Sequence, residues 1–264
     1  MRDMTTRTGC IADDMHAART IADVRREGSG GLALGIMQPY VFPYLGYFQL
    51  MAAVDRFVVY DDVAFIKQGW IISNILVDGV PHRFTIPLHD PSSFRAINEP
   101  MVDGSGYAPF VRKFPRTIDR SYRHAAWFSP ARALLADVLE GFEGSVGRLA
   151  MRSLRAVARY VGIGTVIVES PHTYGNRRVK AQERGLDICA REGARTNVNA
   201  VGGRALHATA AFRERGIEFR FVQPRAVQHA QFGATFVPNL SVVNVLMFNA
   251  ADRVRALLGE CDLL

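Results

Sequence analysis

Cysteine is scarce in this chain of 264 residues. Cys10, Cys189 and Cys261 are odd in number, widely spaced and form no CxxC pair. That excludes a disulfide framework and a cysteine-built zinc site, and it points to a reducing cytoplasm. No stretch approaches the roughly 18 uncharged apolar residues that crossing a bilayer requires, so no membrane partner is expected. Basic runs of five or six are absent too, and the lysines and arginines are spread along the chain. There is no GxSxG, P-loop, HExxH or GxGxxG signature, which removes the usual hydrolase, nucleotide and zinc-peptidase fingerprints. Repeats and low-complexity tracts are also missing.

What is present is an ordinary globular composition, 48% hydrophobic and 22% charged. The length suits one large domain or two small ones and buries a core without staples. The formal net charge of +7 is compatible with a nucleic-acid partner or an anionic small substrate. The scattered placement of the basic residues reads mainly as a solvated face.

Residues 1–30 read as an N-terminal extension: a short helical stretch over 13–27, then a Gly-Ser-Gly-Gly linker. Residues 31–264 read as a single α/β domain. The apolar run 32–37, bounded by glycine and proline, predicts a buried strand. A loop with Pro39 and Pro43 leads into a helix over 44–54, and 57–60 predicts a second strand ending at Asp61-Asp62. Strand, helix, strand in so short a span is a βαβ unit, whose ligands bind at the carboxyl ends of its strands. From 71 to 88 the period is two, and Asp78-Gly79 predicts a hairpin. Two helical stretches, 107–124 and 129–161, form a helical insert over about 107–161. Further strands are expected at 166–168, from 198 and at 217–222, alternating with helices at 179–192, 206–215 and within 240–258. The class is α/β: a Rossmann-like parallel sheet, similar to synthetases and nucleotidylyltransferases, with a β-hairpin and a helical insert.

Synthetases and nucleotidylyltransferases carry an HxGH signature at the first βα turn. Here Tyr44 and Tyr47 stand where the two histidines would be. Tyrosine supplies no positive charge at pH 7, so the architecture is favoured over adenylylation. A half-buried aromatic belt is the alternative reading. Asp61 and Asp62 end a strand together, and alternation allows only one to face a given side. One of them can act as a base or orient an amine. A metal site would need a third acidic ligand, and none is near. Lys67 suits a phosphate or carboxylate and Trp70 can stack on a base or sugar, with a surface lysine and a core tryptophan as the plain alternative. The segment 228–233 is polar and glycine-containing, and His229 is the histidine best placed for acid–base work. Cys189, on an apolar helix face, reads as a buried structural thiol.

Taken together, these residues resemble the WbqC-like protein family. The resemblance is carried by Met37-Gln38-Pro39-Tyr40 through Gln49-Leu50, by 55–62, by Lys67-Gln68-Gly69-Trp70-Ile71 with Asn74, and by Thr85-Ile86-Pro87-Leu88. It continues through Asp187-Ile188-Cys189, Gly202-Gly203 and Phe236-Val237-Pro238-Asn239-Leu240-Ser241 to Phe248-Asn249. The chain departs from the family pattern at Ile72, Ser73, Ile75, Phe114, His229 and Asn244. The resemblance implies a transferase that forms an amide, placing an acyl or aminoacyl group such as glycyl on an amino group, often of an amino sugar.

The expected site comprises His229, Asp62 and Lys67 as catalytic residues. Gln38, Tyr40, Tyr44, Tyr47, Asp61, Trp70, Asn74, Gln231 and Ser241 are expected to bind substrate. A small-molecule amine is the acceptor, and a carrier-protein thioester or an aminoacyl-tRNA would serve as donor. No metal or other cofactor is expected. Two other classes stay open: a nucleotide-dependent ligase or nucleotidylyltransferase, and a non-enzymatic binding module for a nucleotide sugar or RNA.

Overall fold

The computed structural model describes residues 20–27, 30–66, 72–169, 173–179, 181–206, 209–233 and 235–264. Its centre is a six-stranded sheet. In chain order the strands are β1 (Ala33–Met37), β2 (Arg56–Val59), β5 (Val166–Glu169), β6 (Thr196–Ala200), β7 (Glu218–Pro224) and β8 (Cys261–Leu263). They lie in the order β5-β2-β1-β6-β7-β8. All neighbours are parallel except β8, which runs antiparallel to β7. The chain steps from β1 outward to β2 and β5, then returns to β6 on the other side of β1. This is the reversal of direction that defines a Rossmann-like, doubly wound sheet.

Period-two alternation splits the core into two layers. Phe57 and Val59 of β2 join a large hydrophobic cluster on one face, while Val58 and Leu34 join a smaller one on the other. The larger cluster is covered by α2 (Leu45–Ala52), α3 (Gly104–Tyr122), α4 (Phe128–Leu139), α5 (Val146–Val161), α8 (Val242–Phe248) and α9 (Ala251–Leu258). The smaller is covered by α6 (Ala181–Glu192) and α7 (Thr209–Glu214), through Leu186, Ile188 and Phe212. A hairpin of β3 (Ile72–Val77) and β4 (Val80–Thr85) stands outside the sheet. Its turn residues Asp78 and Gly79 both have positive φ, 52° and 78°, as a two-residue hairpin turn of the primed type requires.

Three expectations need correction. The helical stretch 129–161 is two helices, because residues 140–145 leave the helix and Gly141 and Gly144 take φ of 63° and 145°. Strand β8 was not expected; it is three residues long, too short to show a period. The N-terminal segment, expected as an extension ahead of a linker, packs on the domain through its last helix. In α1 (Ile21–Glu27), Val24 is buried in the larger cluster. Arg25 donates to the carbonyls of Ala52 and Val54 and to the Thr165 hydroxyl. Residues 13–19 of the expected helix lie outside the described residues. Among the described residues no helix is long and apolar enough to cross a membrane.

Candidate functional site

Three cavities reach the carboxyl ends of the strands. The first lies where the start of α2 meets the end of β7. It holds about 260 Å³ and is lined by Tyr44, Gln49, Arg225, His229, Phe236 and Asn239, among others. Two local features shape it. Pro39 and Pro43 keep the loop before α2 from becoming helical. Gly46 then lets the helix approach: a Cβ there would lie 2.5 Å from the Tyr44 ring and 3.2 Å from Pro224 Cγ.

His229 is half-buried in this cavity, and desolvation holds its imidazole below the ordinary value of 6.5. Its Nδ1 lies 3.1 Å from the Ala230 carbonyl oxygen. A carbonyl has no proton to give, so Nδ1 carries the hydrogen and Nε2 keeps the lone pair. The ring also meets Phe236 edge-on, with centroids 5.2 Å apart. The Tyr44 hydroxyl, raised above 10.0 by burial, stays protonated at neutral pH. Gln49 is buried, and its Nε2 donates to the carbonyls of Leu257 and Glu260. Its Oε1 is buried with no partner. Arg225 is clamped by Asp262 and Glu260. The cavity thus offers a neutral base and a protonated phenol, with a buried amide oxygen that has no partner in its wall.

A second cavity, of about 370 Å³, sits at the end of β2 and includes Tyr60, Asp62, Phe94, Arg95, Arg177 and Arg184. Asp62 and Arg184 form an ion pair with side chains only 5% and 3% exposed. Arg184 also donates through Nε to Asn176 Oδ1, and its guanidinium lies 4.4 Å from the centroid of the Tyr60 ring.

The third cavity is the largest, about 660 Å³. Arg148, Arg152, Arg155 and Arg159 line it from α5, with Asp61 and Glu169 at the ends of β2 and β5. Their spacing of four, three and four positions puts all four arginines on one helical face. Arg155 pairs with Glu169 at 2.9 Å, so the wall is charged in both signs.

Among the described residues, two of the expected site residues, His229 and Tyr44, share the cavity at the end of β7. Asp61 and Asp62 line different cavities, and neither of these holds His229. They do not end a strand as expected: β2 stops at Val59, so the loop that follows it, and not strand alternation, sets their sides. Tyr47 is buried, donates its hydroxyl to the Gln38 carbonyl at 2.9 Å, and packs edge-on against Tyr40 and Phe57. Burial pushes the Tyr40 hydroxyl up to about 12. Those three residues shape the turn after β1. Gln231 clasps Val237 in both directions, donating to its carbonyl and accepting from its N–H, and so closes the loop that carries Phe236. Ser241 caps α8 and donates to the Phe42 carbonyl. Asn74 is exposed on β3, opposite Arg83. Lys67 and Trp70 lie outside the described residues.

Gln49 was missed as a site residue. A glutamine among Phe48, Leu50 and Met51, on a helix buried nearly all round, is the signal that marks it.

A family model described as the WbqC-like protein family matches residues 38–256. The chain belongs to the WbqC-like protein family. A WbqC-like relative in Mycobacterium tuberculosis, described as "Uncharacterized protein Rv1507c", is 27% identical over 232 residues, covering 86% of this chain and 98% of its own length. No solved structure matches this WbqC-like chain. The matched region spans the turn after β1, the Asp61-Asp62 end of β2 and the His229 loop.

Proposed function

We propose that this WbqC-like protein is an amide-forming transferase. It moves an acyl or aminoacyl group, such as glycyl, from a carrier-protein thioester or an aminoacyl-tRNA to the amino group of a small biosynthetic intermediate such as an amino sugar. One observation carries the reading: a neutral imidazole, its Nδ1 engaged by a backbone carbonyl, lies in a small cavity beside a buried amide oxygen without a partner.

The chemistry balances with these groups. The amine nitrogen attacks the acyl carbon, a C–N bond forms, and the C–S or C–O bond to the carrier breaks. His229 Nε2 takes the proton that the amine sheds and returns it to the departing thiolate or ribose oxygen. Gln49 Oε1 accepts a second N–H of the amine and orients its lone pair. The Tyr44 hydroxyl donates to the oxygen of the tetrahedral intermediate, where a donor is worth most. Cys189 takes no part: its thiol is buried, desolvation pushes it up to about 11, and it accepts from Asn197 Nδ2 at 3.0 Å. Transfer is therefore direct, without an acyl-enzyme.

The test is single-turnover transfer of a radiolabelled glycyl group, from glycyl-tRNA and separately from a glycyl carrier-protein thioester, to glucosamine-type amines. Label in an amide product, lost in His229→Ala, supports the reading. Amide formation only when ATP is added, with release of pyrophosphate, would instead indicate a nucleotide-dependent ligase.

A further inference from the structure

The cavity at the end of β2 is polar and rigidly lined, and the transferase chemistry does not use it. Asp62 sits just beyond the strand, with its side chain 5% exposed. Its Oδ2 accepts from Arg184 Nη2, while Oδ1 is buried and has no partner. A buried carboxylate oxygen ordinarily finds a donor, and this one belongs to a residue on a cavity wall.

The surrounding groups fix that carboxylate in place. Arg184 is held on three sides, by Asp62, by Asn176 and by the Tyr60 ring. Asn176 is in turn held by Asp187, to which it donates at 2.6 Å. Such a network orients an acceptor rigidly, which favours recognition over a shifting surface contact.

Two further features lie at the same wall. Phe94 is 99% exposed, so its ring faces solvent. A fully solvated aromatic beside a polar cavity offers a face for a ring to stack on. Arg95 and Arg177 also line the cavity, and each is half-exposed and paired with a carboxylate outside it, Asp90 and Glu99. Exposed pairs of this kind are weak and exchange readily for a stronger anion such as phosphate.

The geometry points to a site for a phosphorylated sugar: a hydroxyl donates to Asp62 Oδ1, the ring or an attached base stacks on Phe94, and the phosphate meets Arg177 and Arg95. A hexose phosphate and a nucleotide-linked sugar share this chemistry. The site stands on its own, whatever reaction His229 supports.

Isothermal titration of the full chain tests it with glucose 1-phosphate, UDP-glucose and inorganic phosphate. Saturable binding of at least one of the two sugar phosphates, tighter than inorganic phosphate, is expected. Phe94→Ala weakens it about 3- to 10-fold, the scale of a single aromatic contact, and leaves the fold intact because the side chain is solvated. Arg177→Gln weakens it by about 10-fold, the scale of one charge-assisted contact. His229→Ala leaves it unchanged, which separates this site from the transferase reading. Absence of binding by both sugars overturns the inference. So does binding that survives Phe94→Ala and Arg177→Gln but falls in His229→Ala, or a single-stranded oligonucleotide that displaces UDP-glucose at lower concentration.

Discussion

Two cavities at the same edge of one sheet have been given opposite chemistry. At the end of β7, His229 is neutral, half-solvated and held by a single backbone carbonyl. At the end of β2, Asp62 and Arg184 are buried, charged and locked by a network of side chains. The strands that carry them are separated by β1 and β6, three strand spacings or roughly 14 Å. A group that must gain and lose a proton in each turnover needs a proton affinity near ambient pH and room to approach substrate. A group that must only hold a ligand gains from rigidity and from fixed partners. Under the proposed reading, burial in a fixed ion pair suits Asp62 to holding a ligand, and a half-buried neutral ring suits His229 to moving a proton.

The comparison breaks most sharply at the histidine. His229→Ala is expected to lower transfer by roughly 10²–10⁴-fold, the range for a lost general acid–base group, with little loss of stability; a variant with wild-type turnover would move the base elsewhere. At the other cavity the expected effect is on folding. Arg184→Met strands Asp62 as an unpaired buried charge and should cost about 3–5 kcal/mol in chemical denaturation. A loss below about 1 kcal/mol would mean that Asp62 finds water or another donor.

The pH dependence sharpens the contrast. Desolvation lowers the His229 proton affinity in the folded chain, so the unfolded chain binds the proton more readily. Stability from this group is unaffected above about 6.5 and falls as pH drops through 6.5 towards the folded value. The transfer rate should rise with pH to a plateau, with its midpoint below 6.5, and His229→Gln should abolish that limb; an unchanged acidic limb in the variant would assign it to another group. Smaller still is the effect of Cys189→Ala, for which turnover within about twofold is expected, since a buried thiol of raised proton affinity is no nucleophile. A large loss would revive a thioester intermediate.

Much of the fold was legible because its signals are local. Glycine and proline bracket the β1 run, Asp78-Gly79 can take the positive φ of a hairpin turn, and Gly193 and Gly216 stop helices. Strand β8 carries no such signal, and α1 was expected as a helix but its packing was not, because a lone buried valine leaves no periodic trace. The site was less legible. That Asp61 and Asp62 line different cavities is set by the loop beyond Val59, whose course the sequence does not show. That His229 lies with Tyr44 and not with Asp62 depends on the lateral order of strands, which no short stretch of sequence encodes. Gln49 joins His229 only because α2 and β7 meet at Gly46 and Pro224.

The central strand has a consequence for how the chain assembles. β1 pairs with β2 across a short loop and helix, from Leu34 to Arg56, but its other edge waits for β6, where Ala33 meets Thr196. The first pairing closes a small loop and can form early. The second has to gather the intervening hairpin, strand β5 and the four helices α3 to α6 before a single interstrand bond rewards it, and contacts so remote in sequence slow folding. Until β6 arrives, one side of the innermost strand is an open template of unpaired N–H and carbonyl groups. Refolding should therefore pass through a half-sheet of β1, β2 and β5 prone to pairing with another copy of itself, and the yield of native protein should fall as the concentration of refolding chains rises.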